Sequence, residues 1–370
     1  MIALREMMRA KVRFGLLIGA IALLVFLILF QQTLRNGLIT SFVGAIERQS
    51  APVLVYSTDA SRTLQASAIS PELEAKVRAV DGVGQVGRIG QSTFSVKADG
   101  RIQGSAVIGY EDRALGAPDA LVAGRYPNAD GEGVANESDA GDGFGIGDTV
   151  RVEPGGYPIR IVGQASDSNL QASPTVFVPY TTWEQAITAA NPDARTPPPS
   201  ALGVAPAAGV SNDELVRRIN AASTDLEALT RADAAAKSPG VAQVSRSFLV
   251  IFLLYGLVVP LVIGLFFLIV TLQKTQTLTL LRAIGARSKT LVGALFVQVF
   301  VVVGLGVALG TLLYVPVSFQ RIGSIPLQFD VTAVVGWGLA ILALGVASAF
   351  FSARRVLRIE PAAALTGGAV

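Results

Sequence analysis

Long unbroken apolar runs alternate with short basic segments along this 370-residue chain. About 20 apolar residues suffice to cross a bilayer as a helix. Runs of that order occupy 14–30, 248–272, 291–314 and 331–351, and none contains Asp, Glu, Lys or Arg. With their flanks they predict membrane helices over residues 14–40, 247–272, 290–314 and 331–353. Between the first two, residues 41–246 carry a different pattern. VLVYS (53–57), STFSV (92–96), SAVIGY (105–110), DTVRV (148–152), YPIRIVG (157–163) and TVFVPY (175–180) are short, β-prone and bounded by Gly, Pro or Asp, which predicts strands. Ser70 before Pro71, Thr181 with Glu184, and Ser211 with Glu214 predict three helix starts. TPPPS (196–200) reads as a stiff linker between subdomains.

The basic residues orient this pattern. Arg5, Arg9, Lys11 and Arg13 precede the first span, Lys274, Arg282, Arg287 and Lys289 lie between the second and third, and Arg354, Arg355 and Arg358 follow the fourth. The opposite flanks carry only Arg35, Arg48, Arg246 and Arg321. The positive-inside rule then places 1–13, 273–289 and 354–370 in the cytoplasm, and 41–246 and the loop 315–330 outside. The expected fold is a four-helix, all-α transmembrane domain with an inserted α+β extracytoplasmic domain, in a multi-pass protein of the cell membrane. A signal peptide is the rival reading of the N-terminus, but FQQTLRNG offers no small-residue cleavage site.

Composition agrees. The chain is 51% hydrophobic and 15% charged, with a mean hydropathy of +0.53, where a soluble globule carries about 25% charged residues. A net charge of +3, with basic residues beside apolar runs, argues against nucleic acid as a partner. The chain has no cysteine and no histidine, which excludes thiol nucleophiles, HExxH metal sites and Ser–His–Asp catalysis. No catalytic constellation and no metal site is expected, although Ser–Lys or Asp pairs stay open to an enzyme reading. DGEGVANESDAGDGFGIGD (130–148) fits no calcium-loop spacing and reads as solvated turns between strands. No GxxxxGK[ST] occurs, so the chain has no P-loop of its own. Ion-coupled carriers place ionisable residues at mid-membrane; these spans hold none, so the energy for any transport comes from elsewhere.

Small residues mark helix contacts: Gly15 and Gly19 form one GxxxG, Gly306 and Gly310 another, and packing within one bundle is the plainer reading of both. Pro260 is expected to kink the second span. The stretch QKTQTLTLLRAIGARSKTL (273–291) is basic and half apolar. Its Thr277, Leu280, Leu281 and Ile284 share one helical face, and Gly285 can end the turn. This predicts a short cytoplasmic helix, either a lipid-interface connector or a docking element for a motor.

Here the sequence resembles a known family. LLRAIGA (280–286) is similar to the signature after the second span of MacB/FtsX/LolC-type ABC transporter permeases. GDTVRV followed by YPIRIVG resembles a strand pair of that family's outer domain, and RRVLRIEPAAAL (354–365) resembles its R-x-x-R-x-x-P-x-x-AL tail. Thr277 departs from the pattern, since many members carry an acidic residue there. The resemblance implies a homodimer, embedded in membrane lipid, bound to a separate ATPase that carries ATP and Mg, with Leu280, Leu281, Arg282, Ile284 and Gly285 seated in the ATPase. Within the family, the segment 271–298 and the tail EPAAALTGG are similar to the HrtB subfamily of haem-efflux permeases. That likeness implies an HrtA-like ATPase, no intrinsic cofactor, and haem as cargo.

For haem, the usual axial ligands are His, Cys, Met or Tyr. Met1, Met7 and Met8 fall on the cytoplasmic side, which leaves Tyr255, Tyr56 and the carboxylate Glu47. Phe26, Phe30, Phe248 and Phe252 could wall a porphyrin, and Arg35 or Arg246 could face its propionates. Against this, aromatics in membrane helices commonly face lipid or pack, and edge arginines meet headgroups. The alternatives are an FtsX-like transmitter acting on a cell-wall hydrolase, or export of another amphipathic peptide, lipid or drug.

Overall fold

The computed structural model describes residues 10–193, 197–273, 288–322 and 325–357. The chain divides into two compact units: one of Met1–Arg35, Arg246–Gln320 and Leu327–Val370, the other of Asn36–Ser245 with Arg321–Pro326.

The second unit is built on one sheet. Its strands are β1 (Val53–Ser57), β2 (Val83–Ala98), β3 (Arg101–Tyr110), β4 (Ala123–Gly124), β5 (Glu132–Asn136), β6 (Thr149–Val152), β7 (Tyr157–Ala165), β8 (Thr175–Pro179), β9 (Ala201–Pro206) and β10 (Leu226–Thr230). They run in the order β10-β1-β9-β2-β3-β8-β5-β7-β4, with β6 bridging β2 and β7. Pairing is antiparallel except for β3 with β8 and β5 with β7. Asp99 (φ 47°) and Gly100 (φ 74°) supply the two left-handed residues of the tight turn joining β2 to β3, the geometry that matches strand twist.

Helices α2 (Pro71–Arg78), α3 (Tyr180–Ala190), α4 (Asn212–Ala222) and α5 (Arg231–Ala236) lie among these strands. Val77, Leu215 and Ile219 from α2 and α4 join Val53, Val55, Leu202 and Val204 in one core. A second core centres on Trp183 of α3, which is fully buried. Trp183 lies so close to β2 and β3 that a Cβ on Gly90 or Gly109 would come within 2.6 Å of it. Only glycine fits at these two positions.

The capping signals are met unevenly. Ser70 accepts from the Leu73 amide, with Pro71 in the first turn. Ser211 accepts from the Glu214 amide at 3.2 Å, while the Glu214 carboxylate goes to Arg217 and Arg218. The expected cap at Thr181 is corrected: α3 starts at Tyr180, two residues earlier than that cap implies, with Pro179 at the cap position, and the Thr181 hydroxyl bonds to Asp130 instead. The run 130–148 is not solvated turns throughout, because β5 lies inside it with Val134, Ala135 and Asn136 buried. TPPPS does not separate subdomains. Its described part leads straight into β9 of the same sheet, with Pro199 accepting from the Ile69 amide.

In the first unit, helices α1 (Lys11–Glu47), α6 (Val241–Gln273), α7 (Ser288–Tyr314) and α8 (Val331–Leu357) carry the apolar runs. Among the described residues, four helices are long and apolar enough to cross a membrane. Helix α1 continues to Glu47, beyond the expected limit at 40, and α6 begins at Val241 instead of 247. The loop 315–330 is not plain coil: β11 (Arg321–Ile322) pairs with β12 (Ile325–Pro326), a two-stranded piece that belongs to the second unit. Helix α6 runs unbroken through Pro260.

Candidate ligand site in the helix bundle

The bundle core is a strip along α1, made of Phe14, Leu17, Ile21, Val25, Ile28 and Leu29. The spacing of three and four puts these residues on one helical face. Against them lie Val299, Val302 and Val303 of α7, Val259 and Ile263 of α6, and Ile341 of α8. Helix α7 approaches α1 through its glycines: a Cβ on Gly306 would sit 2.5 Å from Ile21, and one on Gly310 would sit 2.5 Å from the Ala22 carbonyl. This GxxxG works inside the bundle, as expected. The other does not. Positions 15 and 19 have open space where a side chain would be, beside exposed Val12, Leu16 and Leu23.

Helices α6 and α8 meet in the same way at a polar contact. The Ser348 hydroxyl donates to the Pro260 carbonyl at 2.9 Å, and a Cβ on Gly264 would fall 2.5 Å from that hydroxyl oxygen. Ser348 thus adds a side-chain donor to the proline's own carbonyl, whereas the carbonyl that the missing N–H leaves open is that of Gly256, one turn earlier.

At the Thr33 level of α1 the bundle is closed by polar and aromatic groups. Buried Tyr314 shares a hydrogen bond with the Thr33 hydroxyl and donates to the Gln328 carbonyl at 3.2 Å. Its ring stacks on Phe329, with centroids 5.6 Å apart. Near this end lie most of the residues singled out for a porphyrin. Phe26 and Phe30 stack on each other at 6.1 Å. Phe248 meets Phe252 at 6.3 Å, and Phe252 meets Trp337 at 5.2 Å. Phe26, Tyr255 and Trp337 all pack on the bundle core, and the Tyr255 hydroxyl shares a hydrogen bond with the Gln31 side chain. Beside Trp337 an open groove of about 380 Å³ is lined by Gln32, Asp330, Thr332, Ala333 and Gly336.

Arg35 is the last residue of the first segment of this unit and is half-buried; Arg246, where α6 enters the unit, is exposed. Glu47 and Tyr56 belong to the other unit. Glu47 is exposed, but Tyr56 is fully buried in the sheet core, its hydroxyl without a hydrogen-bond partner. Burial, with Glu227 adding, pushes its phenol well above the ordinary value. The expectation of Tyr56 as a ligand is therefore corrected: the group is closed off, and its charged form is disfavoured. Trp337 went unnoticed in the sequence. The available signal was that it is one of only two tryptophans and lies in a membrane span. Leu280, Leu281, Arg282, Ile284 and Gly285 lie outside the described residues.

Residues 247–361 match the family model of the FtsX-like permease C-terminal domain. These residues therefore form an FtsX-like permease C-terminal domain. The matched segment contains both LLRAIGA and the start of the tail motif, so the resemblance read from those residues holds. The chain is 22% identical over 371 residues to a putative hemin transport system permease protein HrtB of Staphylococcus epidermidis, covering 99% of both chains. It is 23% identical over 368 residues to a protein of the same description from Staphylococcus haemolyticus, again covering 99% of both. Among solved structures it is similar to the periplasmic region of MacB from Actinobacillus actinomycetemcomitans (TM-score 0.37, 14% identity, 50% of this chain and 92% of that one). It is also similar to the extracellular domain of the noncanonic ABC-type transporter YknZ from Gram-positive bacteria (TM-score 0.35, 14% identity, 48% and 99%).

Proposed function

We propose that the permease is the membrane subunit of an ATP-driven efflux pump that extrudes haem from the membrane, working as a homodimer with a separate HrtA-like ATPase. One observation carries this reading: the hemin permease relatives match the chain end to end, over 99% of both lengths. Three features support it. The apolar runs hold no ionisable residue that could couple an ion gradient to transport. The open Gly15 and Gly19 offer a close-approach surface to a second copy. The aromatic rings around Trp337 and Tyr255 offer flat apolar contacts to a porphyrin, with Tyr255 the phenol best placed as an axial ligand.

In this mechanism the cytoplasmic stretch 273–289 takes the ATPase stroke, and α1 and α6 carry it to the outer unit without a substrate path across the whole membrane. The N- and C-termini are cytoplasmic and the large α+β unit is extracytoplasmic. ATP hydrolysis belongs to the partner, so the permease itself has no catalytic site.

The FtsX-like match also favours a second reading, a transmitter that moves an outer partner instead of a solute. Haemin titration separates the two. Purified permease is expected to shift the haemin Soret band, and loss of the gene to sensitise cells to haemin. With neither effect, and with a cell-wall hydrolase co-purifying, the transmitter reading replaces the pump.

A further inference from the structure

We infer that Arg231 is a positioning residue that ties the exit of α1 to the entrance of α6, so that the two helices engage the outer unit as a pair. The inference rests on the mechanical reading above. All the groups concerned lie in the second unit.

Helix α1 ends at Glu47, and the chain then turns into β1. Gln49 stiffens this turn: its side-chain oxygen accepts from the Ala51 amide at 2.7 Å, and its side-chain nitrogen donates to the Ala51 carbonyl at 3.0 Å. The Gln49 carbonyl is left pointing at Arg231, which donates to it through Nη1 at 2.6 Å. The same guanidinium lies 3.7 Å from the Asp119 carboxylate, and the Asp119 amide donates to the Arg48 carbonyl at 2.7 Å. The Arg231 backbone amide donates to the Pro52 carbonyl at 3.0 Å. One residue therefore holds the α1 exit directly at Gln49 and Pro52, and indirectly at Arg48 through Asp119.

On its other side Arg231 is the first residue of α5. From there a relay of bonds leads to α6: the Ser238 hydroxyl donates to the Ala234 carbonyl at 2.7 Å, and the Val241 amide donates to the Ser238 carbonyl at 3.3 Å. A surface arginine that served only solubility would not have both a guanidinium N–H and its backbone amide spent on one short segment. Charged donors on fixed carbonyls are the stronger class of hydrogen bond, and the planar fork of arginine loses little freedom in making them.

The chain has no cysteine, so spin labels at Phe42→Cys and Gln243→Cys in the full-length permease report one distance across the tie. Wild type is expected to give a single narrow distribution, Arg231→Lys to keep it, and Arg231→Ala to broaden it. In label-free permease with its ATPase, Arg231→Ala should cut haemin export per ATP hydrolysed about tenfold, the scale set by loss of one charged hydrogen bond, while hydrolysis continues. An unchanged distance distribution in Arg231→Ala overturns the inference, as does an unchanged export-to-hydrolysis ratio. If wild type neither exports haemin nor binds an ATPase, the efflux reading fails, and the distance measurement still decides the tie.

Discussion

A Cβ built on Gly44 would sit 2.1 Å from the carbonyl oxygen of Asp167. This contact belongs to a clasp in which the loop after β7 grips the end of α1. The Ala45 amide donates to the Asn169 carbonyl at 3.0 Å, Gln171 to Phe42 at 2.9 Å, and Ala172 to Ser41 at 2.7 Å. Asp167, Gln171 and Ala172 hold left-handed backbone conformations, with φ of 52°, 53° and 55°. Such conformations cost free energy outside glycine, and the clasp bonds hold them in place. Gly44→Val is expected to open the clasp and to destabilise the outer unit by about 1–3 kcal/mol, the usual cost of overpacking a tight contact. Thermal unfolding of the full chain in detergent checks the stability. Unchanged stability would show that the loop yields without cost.

Trp183 is the anchor of the outer unit. It is fully buried, its indole N–H donates to the Ser92 hydroxyl at 3.1 Å, and Gly90 and Gly109 make room for the ring. Trp183→Ala should cost about 3–5 kcal/mol, and Trp183→Phe less. Denaturant unfolding followed by far-UV circular dichroism measures both, and equal losses would contradict the packing account.

Much of this unit was legible in its sequence, because strands such as Val53–Ser57 are β-branched and bounded by turn residues. β9 was not, because ALGVAP carries Gly and Pro and lacks alternation. Gly203 is there for a tertiary reason, since a Cβ would fall 2.0 Å from the Leu115 carbonyl. No local pattern can report that. Within the bundle, the sequence pointed to Phe26, Phe248 and Phe252 but not to Trp337, which meets Phe252, because ring contacts between helices depend on rotation about each axis. The same limit hid which GxxxG packs internally.

Acid should weaken the outer unit through Glu74. Burial, the largest influence, raises its carboxyl, but hydrogen bonds from Arg78 and Arg88 more than reverse this and leave it below its ordinary value of 4.5. A lowered folded value means the stabilisation is complete above the unfolded value and is lost as pH falls through the folded one. Glu74→Gln should therefore destabilise by about 1–2 kcal/mol near neutrality, discounted because both arginines are half exposed. The difference from wild type should shrink as pH drops below 4.5. A gap that persists in acid would rule out the ionised carboxylate as its source.

The cross-helix bond from Ser348 to Pro260 should contribute modestly, about 0.6 kcal/mol, as intramembrane hydrogen bonds do. Ser348→Ala is expected to unfold in mixed micelles close to wild type. Gly264→Leu should be far more damaging, because its side chain must displace Ser348. Equal effects from the two would mean that the hydrogen bond, not the close approach, holds α6 to α8.

The most direct test of the account is ATP hydrolysis by the permease with its ATPase in nanodiscs, read with and without haemin, for wild type and for Leu281→Asp. The account predicts that haemin stimulates hydrolysis in wild type and that Leu281→Asp loses both the stimulation and the bound ATPase. Hydrolysis indifferent to haemin, with the ATPase still held by the Leu281→Asp permease, would contradict it.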